Sequence, residues 1–311
     1  MAVSGSKNYT VTRADIIEAA YRKIGIYDAG EPISGPLTSA ASLALNLMTK
    51  EWVARGIDIW LRDEITVFLQ PDTRIYSLGT DHVTRSFVET TLTATETTGE
   101  TILSVASSAG MTAADFVGVK MDDNTIHWST IASVDSGTQI TINDATDDDA
   151  ASGNKVYAYT SKAERPTKIV SAYRRDTSGI DTVIDMIGEE EYRSLSNKGS
   201  DGPPVLAWYQ PTLTTGSLYV WPVDGGATWD KIYLSAQYYP DDFDAAGDNP
   251  QFPIEFTNAL IWGLAAELAP EHGITGQELA SMFAVAENKL NHVLDFDTEN
   301  ASVEFGLERR L

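Results

Sequence analysis

The chain of 311 residues is 42% hydrophobic and 22% charged, which suits one large domain or two ordinary ones with substantial cores. Its 45 Asp and Glu against 22 Lys and Arg leave a formal net charge of -23, a field that repels phosphate and argues against nucleic-acid binding and anionic membrane surfaces. The lack of cysteine excludes disulfides and thiolate chemistry, no apolar run approaches the ~18 residues of a membrane span, and MAVSGSKNYT lacks the apolar stretch of a signal peptide, so synthesis in a cytoplasm is expected.

The chain opens with helical spacing. In TRADIIEAAYRKIG, Thr12 is an N-cap with Asp15 three residues on, Ile16, Ala19, Ala20 and Ile24 share a face, and Gly25 is the stop. A second helix is expected from a cap at Thr38 or Ser39 to about Arg55, carrying Leu43, Leu47 and Met48, with Gly56 ending it. The period then changes to two. EITVFLQ, the turn PDTR and IYSLG predict a hairpin turning on Pro71 and Asp72.

From about Val88 to Tyr159, Thr, Ser, Ala, Asp and Gly dominate, broken by TTLTATET, TILSVAS, FVGVKM, TIHWSTIASV, TQITIN and KVYAYT. Six short strands with polar turns predict a small all-β module inserted into the rest. KIVSAYRR and TVIDMI then read as strands, EEEYRSL as a short helix and KIYLSAQYYP as another strand. PIEFTNALIWGLAAELAP predicts a helix with Pro253 in its first turn, and a long helix is expected from about Gly276. The last residues, DTENASVEFGLERRL, lack a sustained apolar face and read as an arm.

The expected fold class is therefore α+β: an antiparallel helical bundle of N- and C-terminal helices, a β platform, and an inserted small all-β, sandwich-like domain. The expected divisions are 1–87 with 161–294 as a core, 88–160 as the inserted domain, and 295–311 as a C-terminal arm.

Chemistry is sparse. No phosphate-binding glycine loop, dinucleotide fingerprint or G-x-S-x-G elbow occurs, so no catalytic residue and no cofactor are assigned. His82, His127, His272 and His292 lack the spacing of a helical zinc site, so structural or solvated roles are expected and no metal. Asp144, Asp147, Asp148 and Asp149 miss the alternation of a calcium loop and read as a solvated turn. Glu189, Glu190 and Glu191 diverge on a short helix, which disfavours a paired-carboxylate hydrolase. Arg165, Lys168, Arg174 and Arg175, with Tyr173 between, suit an internal or intersubunit salt bridge better than phosphate binding; as a regular strand, Lys168, Val170, Ala172 and Arg174 share one face.

SDGPPVLAWYQPTLTTGSLYVWPV, residues 200–223, concentrates aromatic side chains. VLAWYQ and SLYVWPV around PTLTTG predict a hairpin with Trp208 and Tyr209 pointing opposite ways. A sugar platform wants its rings on one exposed face, so packing against the core and a neighbour is the expectation.

Taken in order, MTKEWVARGIDIWLRDEITVFLQPDTRIYSLG, RPTKIVSAYRR, EEEYRSLSNKGSDGPPVLAWYQP, GSLYVWPV, YYPDDFD and FPIEFTNALIWGLAAELAPEHG resemble the head-to-tail adaptor proteins of short-tailed bacteriophages, also called tail accessory, tubular tail or packaged-DNA-stabilisation proteins. The resemblance covers most of the chain outside roughly 88–160. It implies a structural protein of the virion tail and no enzyme. Such adaptors form a ring, usually of twelve copies, beneath the portal protein; they extend the DNA channel, retain the genome, and dock nozzle and tail fibre or spike proteins. The resemblance also implies a portal-gripping arm, here with Phe305 and Leu307 as apolar anchors and Arg309 and Arg310 for portal carboxylates. Double-stranded DNA would pass the acidic wall without specific binding, and no membrane partner is expected. The alternatives are a tail-associated peptidoglycan hydrolase and a glycan-binding module in the 88–160 insertion.

Overall fold

The computed structural model describes residues 9–28, 30–57, 59–176, 179–224 and 231–294. Phe305, Leu307, Arg309 and Arg310, and the arm as a whole, lie outside the described residues. The chain divides into two compact units, one comprising the described residues up to Leu61 together with those from Tyr239 onward, the other Arg62–Tyr238.

In the first unit, α1 (Arg13–Ile24) begins with a capping box in which the Thr12 hydroxyl accepts the Asp15 N–H at 3.2 Å and the Asp15 carboxylate accepts the Thr12 N–H at 2.9 Å. Gly25, at φ 81°, ends the helix in the left-handed conformation. The second helix, α2 (Gly35–Ala54), starts earlier than a cap at Thr38 or Ser39 implies. Pro36 presets the first turn, and both hydroxyls turn back instead to the Ser34 and Gly35 carbonyls. The hub is α4 (Thr257–Leu268), apolar nearly all round, which packs against α1, α2 and α5 (Gly276–Leu294). Leu260, Leu264 and Leu268 are fully buried there, each contributing about 1.5–3 kcal/mol.

The second unit carries two sheets. The larger has eight strands in the order β2-β13-β12-β11-β10-β14-β1-β3, with β1 (Arg62–Phe68), β2 (Ile75–Leu78), β3 (Val83–Thr84), β10 (Lys168–Arg175), β11 (Asp181–Met186), β12 (Leu206–Pro211), β13 (Gly216–Trp221) and β14 (Lys231–Gln237). The smaller has six, β4-β9-β6-β7-β8-β5, with β4 (Val88–Thr91), β5 (Ile102–Ser104), β6 (Phe116–Lys120), β7 (Ile126–Ser136), β8 (Gln139–Ile142) and β9 (Lys155–Tyr159). A short helix, α3 (Glu189–Ser194), follows β11.

This overturns the expected fold class. The chain is mostly β, with two curled sheets, one barrel-like and one half-barrel, and is only 28% helical. The terminal helices pack together without dominating the fold, and the strands of 88–159 form one curled sheet rather than a two-layer sandwich. The reason is that strands read as a platform and an insertion continue around two sheets with separate cores, one around Ile65, Leu78, Leu218 and Leu234, the other around Leu103, Val119, Ile140 and Val156.

Two local readings also fail. β1 and β2 form no hairpin: β1 pairs with β14 over seven residues, from Arg62↔Gln237 to Phe68↔Lys231, whereas β2 pairs with β13. In β10 a bulge between Ile169 and Ser171 breaks the alternation, so Ile169 and Ala172 are both buried.

Aromatic side chains join the sheets within this unit. Phe68 of β1 meets Phe87, Trp128 and Tyr157 at ring distances of 5.3, 5.1 and 4.9 Å. Gly118 faces Trp128 across β6–β7, where an added Cβ would stand 2.6 Å from the indole. His82 stacks on the same indole at 3.9 Å and shares a 2.7 Å hydrogen bond with the Tyr159 hydroxyl. Burial, helped by the Lys162 ammonium, pushes the His82 imidazole down to about 4 from an ordinary 6.5. The folded chain thus binds fewer protons here than the unfolded chain between these values, so the contribution is complete above pH 6.5 and is lost as pH falls toward 4. Unfolding free energies from urea titrations across that window should fall with acidification, with a slope of at most about 1.4 kcal/mol per pH unit from this group, and His82→Phe should flatten the slope.

Candidate functional site

The best-furnished site lies where α3 meets the β12–β13 hairpin. Trp208 and Tyr219 are direct cross-strand partners, stacked at 4.4 Å with their planes 20° apart. Tyr192 on α3 closes over them at 5.7 and 5.2 Å. Because β2 pairs with the far edge of β13, and the Arg74 carbonyl accepts the Val220 N–H at 2.9 Å, Arg74 arrives from a distant turn to line the same pocket. The cavity is about 180 Å³.

Its lining is cationic. Arg193 is held to Glu189 at 2.7 Å, and its guanidinium lies 5.9 Å from the centre of the Trp208 ring. Lys198 donates to the Arg193 and Leu195 carbonyls at 2.9 Å each and lies 5.9 Å from the Tyr192 ring. Among the described residues Arg74 makes no ion pair and no side-chain hydrogen bond. Tyr192 is 3% exposed, yet its hydroxyl has no hydrogen-bond partner among the described residues. Burial pushes its phenol up, and the Arg74 guanidinium opposes that shift, so the two groups feel one another. A guanidinium without a counter-ion among the described residues and two further cations suit an incoming oxyanion.

A second feature lies in the helical unit. A groove of about 250 Å³ between α2, α4 and α5 is lined by Met48, Trp52 and Phe283, with Glu267 and Glu287 also on its walls. Gly263 lets α2 approach, since a Cβ there would stand 2.7 Å from the Met48 sulfur. On α2, Leu43 and Leu47 are 62% and 63% exposed one turn apart; on α5, Phe283 is 44% exposed.

The residues singled out by sequence are dispersed. Glu189 is neutralised by Arg193, and Glu190 and Glu191 are exposed beside it on α3. Asp147 pairs with His127 at 3.0 Å, Asp149 accepts the Thr98 N–H at 2.8 Å, and Asp144 accepts the Ser129 hydroxyl at 3.2 Å. Among the described residues no group of three or more His, Asp or Glu is placed to hold a metal ion. In the basic cluster, Arg165 donates to the Thr212 carbonyl at 3.0 Å, Arg174 to the Pro204 carbonyl, and Arg175 to both oxygens of Asp181 at 2.6 and 2.9 Å. The hairpin of 200–223 is present, and its rings divide as expected: Trp208 joins the pocket while Tyr209 donates to the Pro166 carbonyl at 2.6 Å. Sequence reading missed Arg74 and Lys198. Lys198 stands six residues after Tyr192, a local signal that could have been used; Arg74 has none, because only the β2–β13 pairing brings it there.

A buried hydroxyl left without a partner costs about 1–3 kcal/mol. Tyr192→Phe should therefore raise the stability of the free protein by an amount of that order, read as a higher denaturant midpoint with an unchanged slope. No protein-family model matches this chain, and no curated protein matches it.

Proposed function

We propose that the protein is a structural head-to-tail adaptor of a short-tailed bacteriophage, a component of the virion tail assembled as a ring of copies beneath the portal. The observation that carries this reading furthest is the pair Leu43 and Leu47 on α2, large apolar side chains more than half exposed on the helix whose motif begins the adaptor-like order of segments. Monomeric chains scatter exposed apolar residues singly, whereas two stacked on one helix suit a contact with a neighbouring copy. A head-to-tail contact of this kind closes into a ring only when the rotation fits, which makes the portal a useful template.

The charge supports the same reading. At -23 per copy a ring would surround its conduit with acid, letting duplex DNA pass without adhering. In this reading the chain extends the DNA channel, retains the packaged genome and docks nozzle and fibre or spike proteins, with no catalytic step. Phe305, Leu307, Arg309 and Arg310 are proposed to grip the portal.

Electron microscopy of the purified chain mixed with its portal tests this directly. The expected image is a collar on one face of the portal, with the free chain monomeric by light scattering; bare portals in the presence of excess chain contradict the proposal. Leu43→Ser with Leu47→Ser should leave the monomer folded, since both side chains are exposed, and reduce collar formation at least tenfold.

A further inference from the structure

We propose that the pocket formed by Arg74, Tyr192, Arg193, Lys198, Trp208 and Tyr219 is a docking site for a carboxylate side chain presented by a partner polypeptide. The inference stands on this pocket alone and holds whether or not the chain is an adaptor.

Four observations converge on it. Tyr192 lines the cavity, and the buried hydroxyl of that side chain has no hydrogen-bond partner among the described residues, so a polar group is left unsatisfied within the side chain that walls the space. Arg74 brings to the same space a guanidinium with no counter-ion among the described residues, and a guanidinium matches a carboxylate with two parallel N–H bonds. Lys198 spends two of its three hydrogens on the Arg193 and Leu195 carbonyls, leaving one for a ligand and fixing the ammonium in place. Trp208, 8% exposed, has one ring face against Tyr219, so stacking of a sugar is disfavoured and the polar groups remain as the recognising elements.

Size and charge point to the source. About 180 Å³ takes one side chain and not a nucleotide. A free anion diffusing toward a chain of net charge -23 is repelled, whereas an acid delivered by a docked polypeptide feels chiefly the cations within the screening distance of ~8 Å. Ile75, 40% exposed, adds an apolar lip beside the cations. The fitting partner segment is therefore an acidic residue flanked by apolar ones.

The test uses the full chain with ¹⁵N-labelled tryptophan, the Trp208 indole signal being assigned by Trp208→Phe. The probes are a blocked leucine–glutamate–leucine peptide, the same peptide with glutamine for glutamate, and inorganic phosphate. The expected result is a saturable shift of the Trp208 signal with the glutamate peptide, at least tenfold weaker binding of the glutamine peptide, and loss of the response in Arg74→Ala with the other indole signals unmoved. No saturable shift, or equal binding of both peptides, overturns the proposal. A response to phosphate matching that to the glutamate peptide overturns the polypeptide source by making the pocket a general anion site.

Discussion

The pairing of β1 with β14 is the constraint on which the larger unit depends. It makes Arg62 and Gln237 direct partners, so the ends of a long segment leave and return at one place. The same device recurs one level down, where Val88 pairs with Ala158 and Thr91 with Lys155, joining the first and last strands of the six-stranded sheet's own segment. Each inserted segment is thus shut by an antiparallel pair made from its own first and last strands, which lets its core form without the flanking chain. The magnitudes allow it. Closing β1 onto β14 rather than onto the adjacent β2 costs about 3 kcal/mol more loop entropy. Ile65, Val67, Ile232 and Leu234, all fully buried along that pairing, contribute about 1.5–3 kcal/mol each.

This explains what the amino-acid order could and could not reveal. The capping box at Thr12, the stop at Gly25, all six strands between Val88 and Tyr159, and the hairpin holding Trp208 are local, and their residues announce them. The partner of β1 is not local. PDTR does turn, with the Thr73 N–H reaching the Gln70 carbonyl at 3.2 Å, yet the strands on either side diverge because β14 offers the longer register. The fold class fails for the same reason: helical periodicity at both ends is a local signal, while the long-range ladders that build two curled sheets leave no local trace. The pocket is half legible. Tyr192, Trp208 and Tyr219 sit in segments that stand out by composition, but Arg74 is recruited across the sheet by β2, and nothing near it in sequence marks it.

The pocket and the acidic composition belong together physically. A chain of net charge -23 has few cations to spare, and most of those described are engaged: Arg175 with Asp181, Arg193 with Glu189, Lys231 with Glu89. Arg74 placed beside an unpartnered phenol is therefore a local exception to the overall field, and screening makes that exception visible only at close range. The exposed leucines of α2 differ in kind, being apolar and on a helix. Both features would suit contacts with other chains, as the proposed structural role requires.

The nested closure is tested most directly by expressing residues 62–238 alone and following urea unfolding by circular dichroism and tryptophan fluorescence. The account predicts a cooperative transition, coincident by both probes, with a β-rich spectrum before it. A fragment that is unfolded without denaturant, or that melts without cooperativity, would contradict the claim that β1 and β14 close the unit on their own.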